Sequence, residues 1–267
     1  MNVSIVIPIF NPDRIILKKL LQVVKGQKFK GKFEILEIEK NMGFAKQINL
    51  GIKKSKYEIV VELPQDCIPA DKYWLKNLVE PFKNKKVIAS VSKIRLPDSI
   101  WKNLSIFAKA ANIKEKEVIT SLLDGKGSAY RKSILKSVGY FDEKNFRTGG
   151  EDLDLYMKIR KKGIIAYPKT EILHYHPTTY MKRLKKTRQY ANGGGTIFRI
   201  HGLKMRGWHY FLIKAIPILG LIATVFSFPF NKKETELFPI YLLGSFPDHI
   251  FYLYGFWKGF LNGKQTV

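Results

Sequence analysis

Two short acidic segments carry the chemistry available to this chain. Gly150-Glu151-Asp152 opens a helical pattern, and Leu63-Pro64-Gln65-Asp66-Cys67-Ile68-Pro69 follows an apolar strand pattern. A hydroxyl that attacks carbon needs a base within hydrogen-bond reach. A carboxylate in the first turn of a helix stays ionised and is held by backbone N–H groups. Asp152 and its neighbour Glu151 are therefore candidates for the catalytic base. A carboxylate at the end of a buried strand can hold a divalent cation against a diphosphate, and Asp66 is that candidate. His174 and His176 flank Tyr175 near the end of a strand pattern. Alternation sends them to opposite faces; one can complete a metal site, with His176 the preferred ligand. Each residue also has a plainer use. Asp66 suits a turn before Pro69, Glu151 and Asp152 suit helix capping, and a histidine is often only a hydrogen-bonded group.

These residues need a frame to hold them. Val3 to Ile9 is an apolar, β-branched run, the pattern of a buried parallel strand. Asn11-Pro12-Asp13 is turn and N-cap chemistry. Ile15, Ile16, Leu20, Leu21 and Val24 then share one helical face, closed by Gly26. Phe33 to Ile38 and Tyr57 to Leu63 read as strands, with a helix carrying Ile48, Asn49 and Ile52 between them. Alternating strands and helices predict a mostly parallel sheet covered on both faces. Ligands bind such sheets beyond the carboxyl ends of the strands, where the Pro8-to-Asn11 and Gln65-Asp66 loops fall. Further on, the pattern predicts a helix over 74–82, a strand over 87–93 and an insertion over 97–119. A strand over 125–131 follows, then a helix over 151–162 and two short strands ending near Tyr167 and Tyr175.

The composition bounds the partners. The chain has 267 residues, 45% of them hydrophobic, and a formal net charge of +25. That supports a full α/β domain plus an appendage. The positive field favours anionic partners. One cysteine, Cys67, excludes an internal disulfide and a cysteine-rich zinc site. Met1-Asn2 leads straight into a strand, so the expectation is no secretory signal and a cytoplasmic catalytic part.

The composition changes near residue 180. Residues 182–188 are densely basic, and Gly193-Gly194-Gly195 reads as a flexible point. From Tyr210 to Phe230 only Lys214 is charged; a second apolar run, Leu237 to Leu261, contains Asp248, His249 and Lys258. The first run is just long enough to span a bilayer, which takes about 20 apolar residues. Spanning helices, helices lying in the interface and a soluble helical cap all remain open. Basic residues beside these runs would favour an anionic membrane surface by about 1 kcal/mol each.

The order of these segments resembles the family-2 inverting glycosyltransferases of the GT-A fold, over roughly residues 3 to 200. Ser4-Ile5-Val6-Ile7-Pro8-Ile9-Phe10-Asn11 is similar to the opening strand that lines the nucleotide pocket, which implies substrate-binding roles for Pro8, Phe10 and Asn11. Asn41-Met42-Gly43-Phe44-Ala45, with Asn49 and Gly51, resembles the family's N-x-G-F-A-x-x-x-N-x-G helix start. That implies Asn41, Gly43 and Asn49 as contacts. Gln65-Asp66-Cys67-Ile68-Pro69 with Trp74 resembles the DXD metal segment in its T-Q-D-A-x-P, rhamnosyltransferase-like form. Gly125 to Ser133, including Gly127, resembles a family strand, and Gly139-Tyr140-Phe141-Asp142-Glu143 its G-G-F-D-E turn. Gly150 to Leu155 resembles G-E-D-x-D-L, which implies Asp152 as the base. His174 or His176 corresponds to the late metal-binding histidine. Lys46 and Arg131 are added as charge assistants. Two features depart from the pattern. Pro64 replaces the first DXD acid, and no V-V-D strand end is present, so Glu37 or Glu39 stands in for the base-contacting acid.

The resemblance implies an α/β GT-A Rossmann-like mixed sheet over residues 1–200 and a C-terminal apolar helical hairpin over 201–267. It implies a metal-dependent transferase using Mg²⁺ or Mn²⁺. A sugar would pass from a nucleoside-diphosphate donor to a lipid-linked or glycan acceptor at the cytoplasmic membrane face. A homo-oligomer stays open. The competing expectations are an impaired GT-A-like scaffold protein, a basic nucleic-acid binder and, more weakly, a nucleotidyltransferase. No RNA- or DNA-binding motif is present, and Phe10-Asn11-Pro12-Asp13 is not a Gly-rich loop.

Overall fold

Val3–Ile9 forms strand β1 and is buried along its whole length. The computed structural model describes residues 1–118, 122–175, 179–205, 207–231 and 234–265. Asp13 caps helix α1 (Arg14–Lys25): its Oδ1 accepts from the Ile15 and Ile16 amides at 2.9 and 3.2 Å. Such a cap contributes about 1 kcal/mol. Strand β2 (Phe33–Glu39), helix α2 (Phe44–Lys54) and strand β3 (Ile59–Glu62) follow. Both β2 and β3 pair with β1 in parallel.

Then come β4 (Cys67–Pro69), α3 (Trp74–Val79), β5 (Val87–Val91) and β6 (Lys93–Arg95). The helix expected over 74–82 stops at Val79 and continues as a 3₁₀ turn. Pro81 lacks the N–H that an α-helix needs there. The strand expected over 87–93 divides, because β5 and β6 belong to different sheets. After α4 (Asp98–Lys102), α5 (Ile106–Asn112) and the two-residue β7 (Glu117–Val118) come β8 (Ser128–Arg131) and α6 (Lys132–Ser137). Helix α7 (Glu151–Ile159) and strands β9 (Ile164–Ala166) and β10 (Glu171–His174) precede the C-terminal helices.

The main sheet is ordered β2-β1-β3-β8-β5-β9, and β8 runs antiparallel to both its neighbours. It is mixed and still mostly parallel: β8 alone is reversed among its six strands. The alternation of β1 sends Val3, Ile5 and Ile7 to one face, where they join Leu17, Leu20 and Val24 of α1 and Trp74, Leu75 and Leu78 of α3. Val6 faces the other side, with Ile48 and Ile52 of α2, Leu135 of α6 and Leu155 and Ile159 of α7. Burial of each large aliphatic side chain stabilises the fold by about 1.5–3 kcal/mol. In the smaller sheet β10 pairs antiparallel with β4 and parallel with β6.

The chain divides into two compact units that interleave in sequence. The α/β unit takes Met1–Pro97, Val118–Glu143 and Asp152–His176; the helical unit takes Asp98–Glu117, Lys144–Glu151 and Pro177–Val267. The last boundary between the units falls between His176 and Pro177, and two short earlier segments also belong to the helical unit.

In that unit α8 (Tyr180–His201) packs along α11 (Phe238–Asn262). Gly193-Gly194-Gly195 is not a flexible point; it lies buried within α8. A Cβ on Gly195 would sit 2.0 Å from the Phe256 carbonyl oxygen, and one on Gly259 would sit 2.0 Å from that of Asn192. The two backbones come so close that only glycine fits between them. Between α8 and α11 lie α9 (Trp208–Ala215) and α10 (Pro217–Phe226), bent by 117° at Ile216, which is extended ahead of Pro217. Among the described residues no single helix is long and apolar enough to cross a membrane; the bent α9–α10 pair reaches that measure only in combination. The expected simple hairpin is thus a broken pair followed by one long helix.

Candidate active site

The carboxyl ends of β1 and β3 are tied together by one side chain. Gln65 accepts from the Phe10 amide through Oε1 at 2.8 Å and donates through Nε2 to the Phe10 carbonyl at 2.8 Å. It extends the strand pairing by one side-chain rung, so Gln65 positions the loop bearing Asp66. Gln47, not anticipated from sequence, performs a similar task on the β2 side. It is buried, and its Nε2 donates to the carbonyls of Ile9 and Ile38 at 2.8 and 2.9 Å.

Beyond the Gln65 rung, Asp66 Oδ2 lies 3.4 Å from His174 Nε2. Asp66, Cys67 and His174 each place a potential ligand atom within 4.8 Å of the others. The strands explain this: His174 of β10 pairs with Cys67 of β4, and the Tyr175 amide donates to the Asp66 carbonyl at 2.7 Å. Burial pushes the Cys67 thiol well up, with the Asp66 charge adding to the effect. The thiol stays protonated and is a poor ligand. Asp66 and His174 are the donors that fit a hard divalent ion. His176, the preferred histidine from sequence, lies outside the described residues.

A second polar group comes from the turn before β8. Lys126 Nζ is 3.1 Å from Asp124 Oδ1, and the Lys126 amide also donates to that oxygen at 3.0 Å. Asp152, in the first turn of α7, accepts from its neighbour's amide, Leu153 N–H, at 2.8 Å. Its carboxyl is held above the usual aspartate range. Burial is the largest cause and the Asp124 charge the next, against lowering by Lys126 and by the Leu153 and Gly125 amides. Such a carboxylate is a stronger base than an exposed one, yet remains fixed by backbone donors. The same Asp124 and Lys126 act electrostatically on Cys67, so this turn lies within reach of both the Asp66 loop and Asp152. Lys126 is a candidate residue of this site that sequence reasoning missed. Its signal is the glycine on each side, in Asp124-Gly125-Lys126-Gly127. Those glycines are needed for close approach: a Cβ on Gly125 would lie 2.6 Å from Glu62 Oε1, and one on Gly127 2.5 Å from Ile172. Glu62 is buried and accepts from Tyr130 Oη at 2.8 Å.

Several expected contacts have other duties. Trp74 is fully buried, and its Nε1 donates to Ser92 Oγ at 2.9 Å, so it is core. Asn49 is buried and brackets Phe141, donating to its carbonyl at 2.9 Å and accepting from its amide at 3.1 Å; it also reaches Glu143. Arg131 faces Ile59, at the start of β3, and therefore lies at the opposite end of the sheet from Asp66. There it donates to the carbonyls of Val87 and Phe82 at 2.7 and 2.9 Å. Gly127 shapes backbone and receives the Ser92 hydroxyl. Pro8 is buried within β1 opposite Ile38. Phe10, Asn11, Glu39, Asn41 and Lys46 are exposed. Glu39 ends β2 opposite Ile9 and pairs weakly with Arg14 at 3.7 Å. Gly43 turns into α2 with φ 85. Glu151 is buried and belongs to the helical unit.

A family profile described as Glycosyl transferase family 2 matches residues 12–139, and one described as Glycosyl transferase family group 2 matches residues 91–257. A dolichyl N-acetyl-α-D-glucosaminyl phosphate 3-β-D-2,3-diacetamido-2,3-dideoxy-β-D-glucuronosyltransferase of Methanococcus voltae is 24% identical, over 99% of this chain and 98% of that one. The poly-β-1,6-N-acetyl-D-glucosamine synthase of Staphylococcus epidermidis is 29% identical over 119 residues, covering 41% of this chain and 29% of that synthase. The match thus spans under a third of the synthase. Among solved structures, the mannosyltransferase PcManGT of Pyrobaculum calidifontis in complex with GDP-Man and Mn²⁺ aligns with TM-score 0.59 and 13% identity, over 94% of this chain and 86% of that one. GalNAc-T7 with UDP, GalNAc and Mn²⁺ aligns with TM-score 0.51 and 14% identity, over 78% and 53%.

Proposed function

The chain belongs to glycosyl transferase family 2, and from that premise we propose that Asp152 is the base of an inverting, metal-assisted sugar transfer. The observation that carries the reading is the Asp152 carboxyl, half-buried in the first turn of α7, raised in basicity and held by backbone amides. Asp152 takes the proton of an acceptor hydroxyl as that oxygen attacks the anomeric carbon of a nucleoside-diphosphate sugar. The bond from that carbon to the diphosphate oxygen breaks on the opposite side, which inverts the centre. Asp66 and His174 would hold a Mg²⁺ or Mn²⁺ ion, whose contribution is to neutralise charge on the departing diphosphate. Lys126 adds a second positive charge, within electrostatic reach of Asp152 and of Cys67, the residue after Asp66. Gln65 keeps the Asp66 loop in register with β1, whose end forms part of the donor site.

The acceptor is lipid-linked or a glycan, in line with the printed activities of the relatives. Attachment at a membrane surface is supported by the apolar side chains left exposed on α10 and α11, among them Ile218, Phe226, Leu243, Phe246 and Leu261. Isolated exposed apolar residues are ordinary, but an extended set on neighbouring helices marks an interaction surface.

The test is a melting-temperature screen against UDP, GDP, dTDP and CDP, with and without Mn²⁺. Ligands that bind the native state raise the melting temperature. One diphosphate should stabilise the protein only with metal, and Asp66→Asn should abolish that shift. No shift with any diphosphate overturns the reading.

A further inference from the structure

Residues 146–150 take neither helix nor strand and run straight into α7, whose second residue is Asp152. Backbone groups in such a stretch must find partners outside regular structure, because a buried N–H or C=O left unpaired is costly. Much of that work falls to one side chain from beyond the last helix. Gln265 Oε1 accepts from the Arg147 and Thr148 amides at 2.9 and 2.7 Å. Its Nε2 donates to the Thr148 carbonyl and, at 3.4 Å, to the Gln189 carbonyl. Its own backbone amide donates to the Asn145 carbonyl at 2.8 Å. Both acceptor and donor sides of the side-chain amide are thus filled, and Gln265 is buried. Toward Thr148 it is donor and acceptor to one backbone residue, as Gln65 is toward Phe10.

The end of α11 explains how Gln265 arrives there. The helix stops at Asn262, and Gly263, left-handed with φ 66, turns the chain back. Arg199 of α8 holds this end: its Nη1 donates to the carbonyls of Phe260 and Leu261 at 2.8 and 2.7 Å. A cation at a helix C-terminus also offsets the helix dipole. The loop's other side lies on α8, where a Cβ on Gly193 would sit 2.2 Å from the Gly149 carbonyl oxygen. The loop is therefore gripped between α8 and the segment after α11, within the helical unit. The partners of Gln265 (Asn145, Arg147, Thr148 and Gln189) belong to neither core of the main sheet.

A base works only when it is held closely against the attacking hydroxyl, and a misplacement of about 1 Å costs about 100-fold in rate. We propose that Gln265 is a positioning residue for the transfer: by clamping Arg147 and Thr148 it fixes where α7 begins, and with it the Asp152 carboxylate. Gln265 acts through the loop. The inference rests on the reading of Asp152 as the base.

The test compares wild type, Gln265→Met and Gln265→Glu by hydrogen exchange and by turnover. Methionine has the length of glutamine without its amide. In Gln265→Met, amides over residues 145–155 exchange about tenfold faster while those of β1 keep their wild-type rates. In Gln265→Glu the second carboxylate oxygen faces the Thr148 carbonyl, so exchange there is fast at about pH 7. It returns to the wild-type rate at about pH 4, where protonation restores a donor. Turnover is read as diphosphate released from UDP-N-acetylglucosamine or GDP-mannose with Mn²⁺. At about pH 7, Gln265→Met lowers kcat about tenfold and leaves the donor KM and the metal-dependent nucleotide shift unchanged. Unaltered exchange over 145–155, or acceleration spread evenly along the chain, overturns the clamp. A KM that rises while kcat holds overturns the positioning of the base. A wild type that releases no diphosphate, with exchange as expected, leaves the clamp standing and sinks the transferase reading instead.

Discussion

Replacing Gln65 tests whether a side-chain rung holds the metal-binding loop. The amide is both donor and acceptor to one backbone residue, Phe10, at 2.8 Å each way. Each neutral bond contributes about 0.5–1.5 kcal/mol net. Phe10 is 50% exposed, so water can replace the lost partners. Gln65→Leu should therefore cost about 1–2 kcal/mol, without the larger penalty of stranded buried groups. Gln65→Glu separates the two bonds. Its carboxylate can still accept from the Phe10 amide, but it presents a second acceptor to the Phe10 carbonyl and must swing away. Protonation restores one donor and one acceptor, and both bonds re-form. The folded state thus favours the protonated acid and raises the pKa of Glu at 65. That stability is fully present below the unfolded glutamate value of about 4.3 and is lost as pH rises through the folded value. Urea unfolding at about pH 4 and about pH 7 reads the difference. Relative to wild type, Gln65→Glu should recover at the lower pH while Gln65→Leu stays equally destabilised. At neutral pH both variants should lose about tenfold in metal-dependent nucleotide affinity, which corresponds to about 1.4 kcal/mol of misplacement. If the two variants track one another at both pH values with nucleotide affinity intact, the rung does no positioning and the reasoning is refuted.

Three other predictions address the base, its charged neighbour and the helix packing. Asp152 must be ionised to act, so turnover should fall as pH drops through its raised pKa. Asp124→Asn removes a raising charge and should move that acidic limb to lower pH; an unmoved limb would separate Asp124 from the base. The same shift carries a stability consequence. A folded pKa above the unfolded one stabilises the fold only at low pH and is a net cost at neutral pH. Asp152→Asn should thus abolish turnover and raise the midpoint of urea unfolding at neutral pH. In α8, Gly195→Ala gains about 1 kcal/mol of helix propensity. It also drives a methyl to 2.0 Å from the Phe256 carbonyl oxygen and 2.8 Å from the Phe260 nitrogen. Overpacking of that kind costs about 1–3 kcal/mol or more, so the variant should unfold at lower urea. A gain in stability would show that α8 and α11 are not in close contact there.

What sequence could and could not disclose follows from the range of each interaction. The covered sheet, α1 with its Asp13 cap, and the segments carrying Asp66 and Asp152 were legible because they rest on periodicity, capping and short motifs. Gly193-Gly194-Gly195 was not, because glycine reads as local freedom. Its role here is set by α11, whose contacting residues, Phe256 and Phe260, lie some sixty positions away. Trp74, Asn49 and Arg131 show the limit more sharply. Their side chains are of types that bind ligands, and the same polar atoms serve equally to satisfy buried backbone or a buried hydroxyl. Only a three-dimensional address separates those uses. For Arg131 the missing fact is a direction. A period of two reveals which face a strand residue takes but not which way the strand runs. Because β8 is antiparallel to β3, its last residue falls beside Ile59 at the start of β3, while Ser128 meets Glu62 at the active end. The cation of that segment that reaches Cys67 and Asp152 is consequently Lys126, in the turn before the strand. Reversing one strand moves the charge that matters by five residues in sequence and across the full length of the strand.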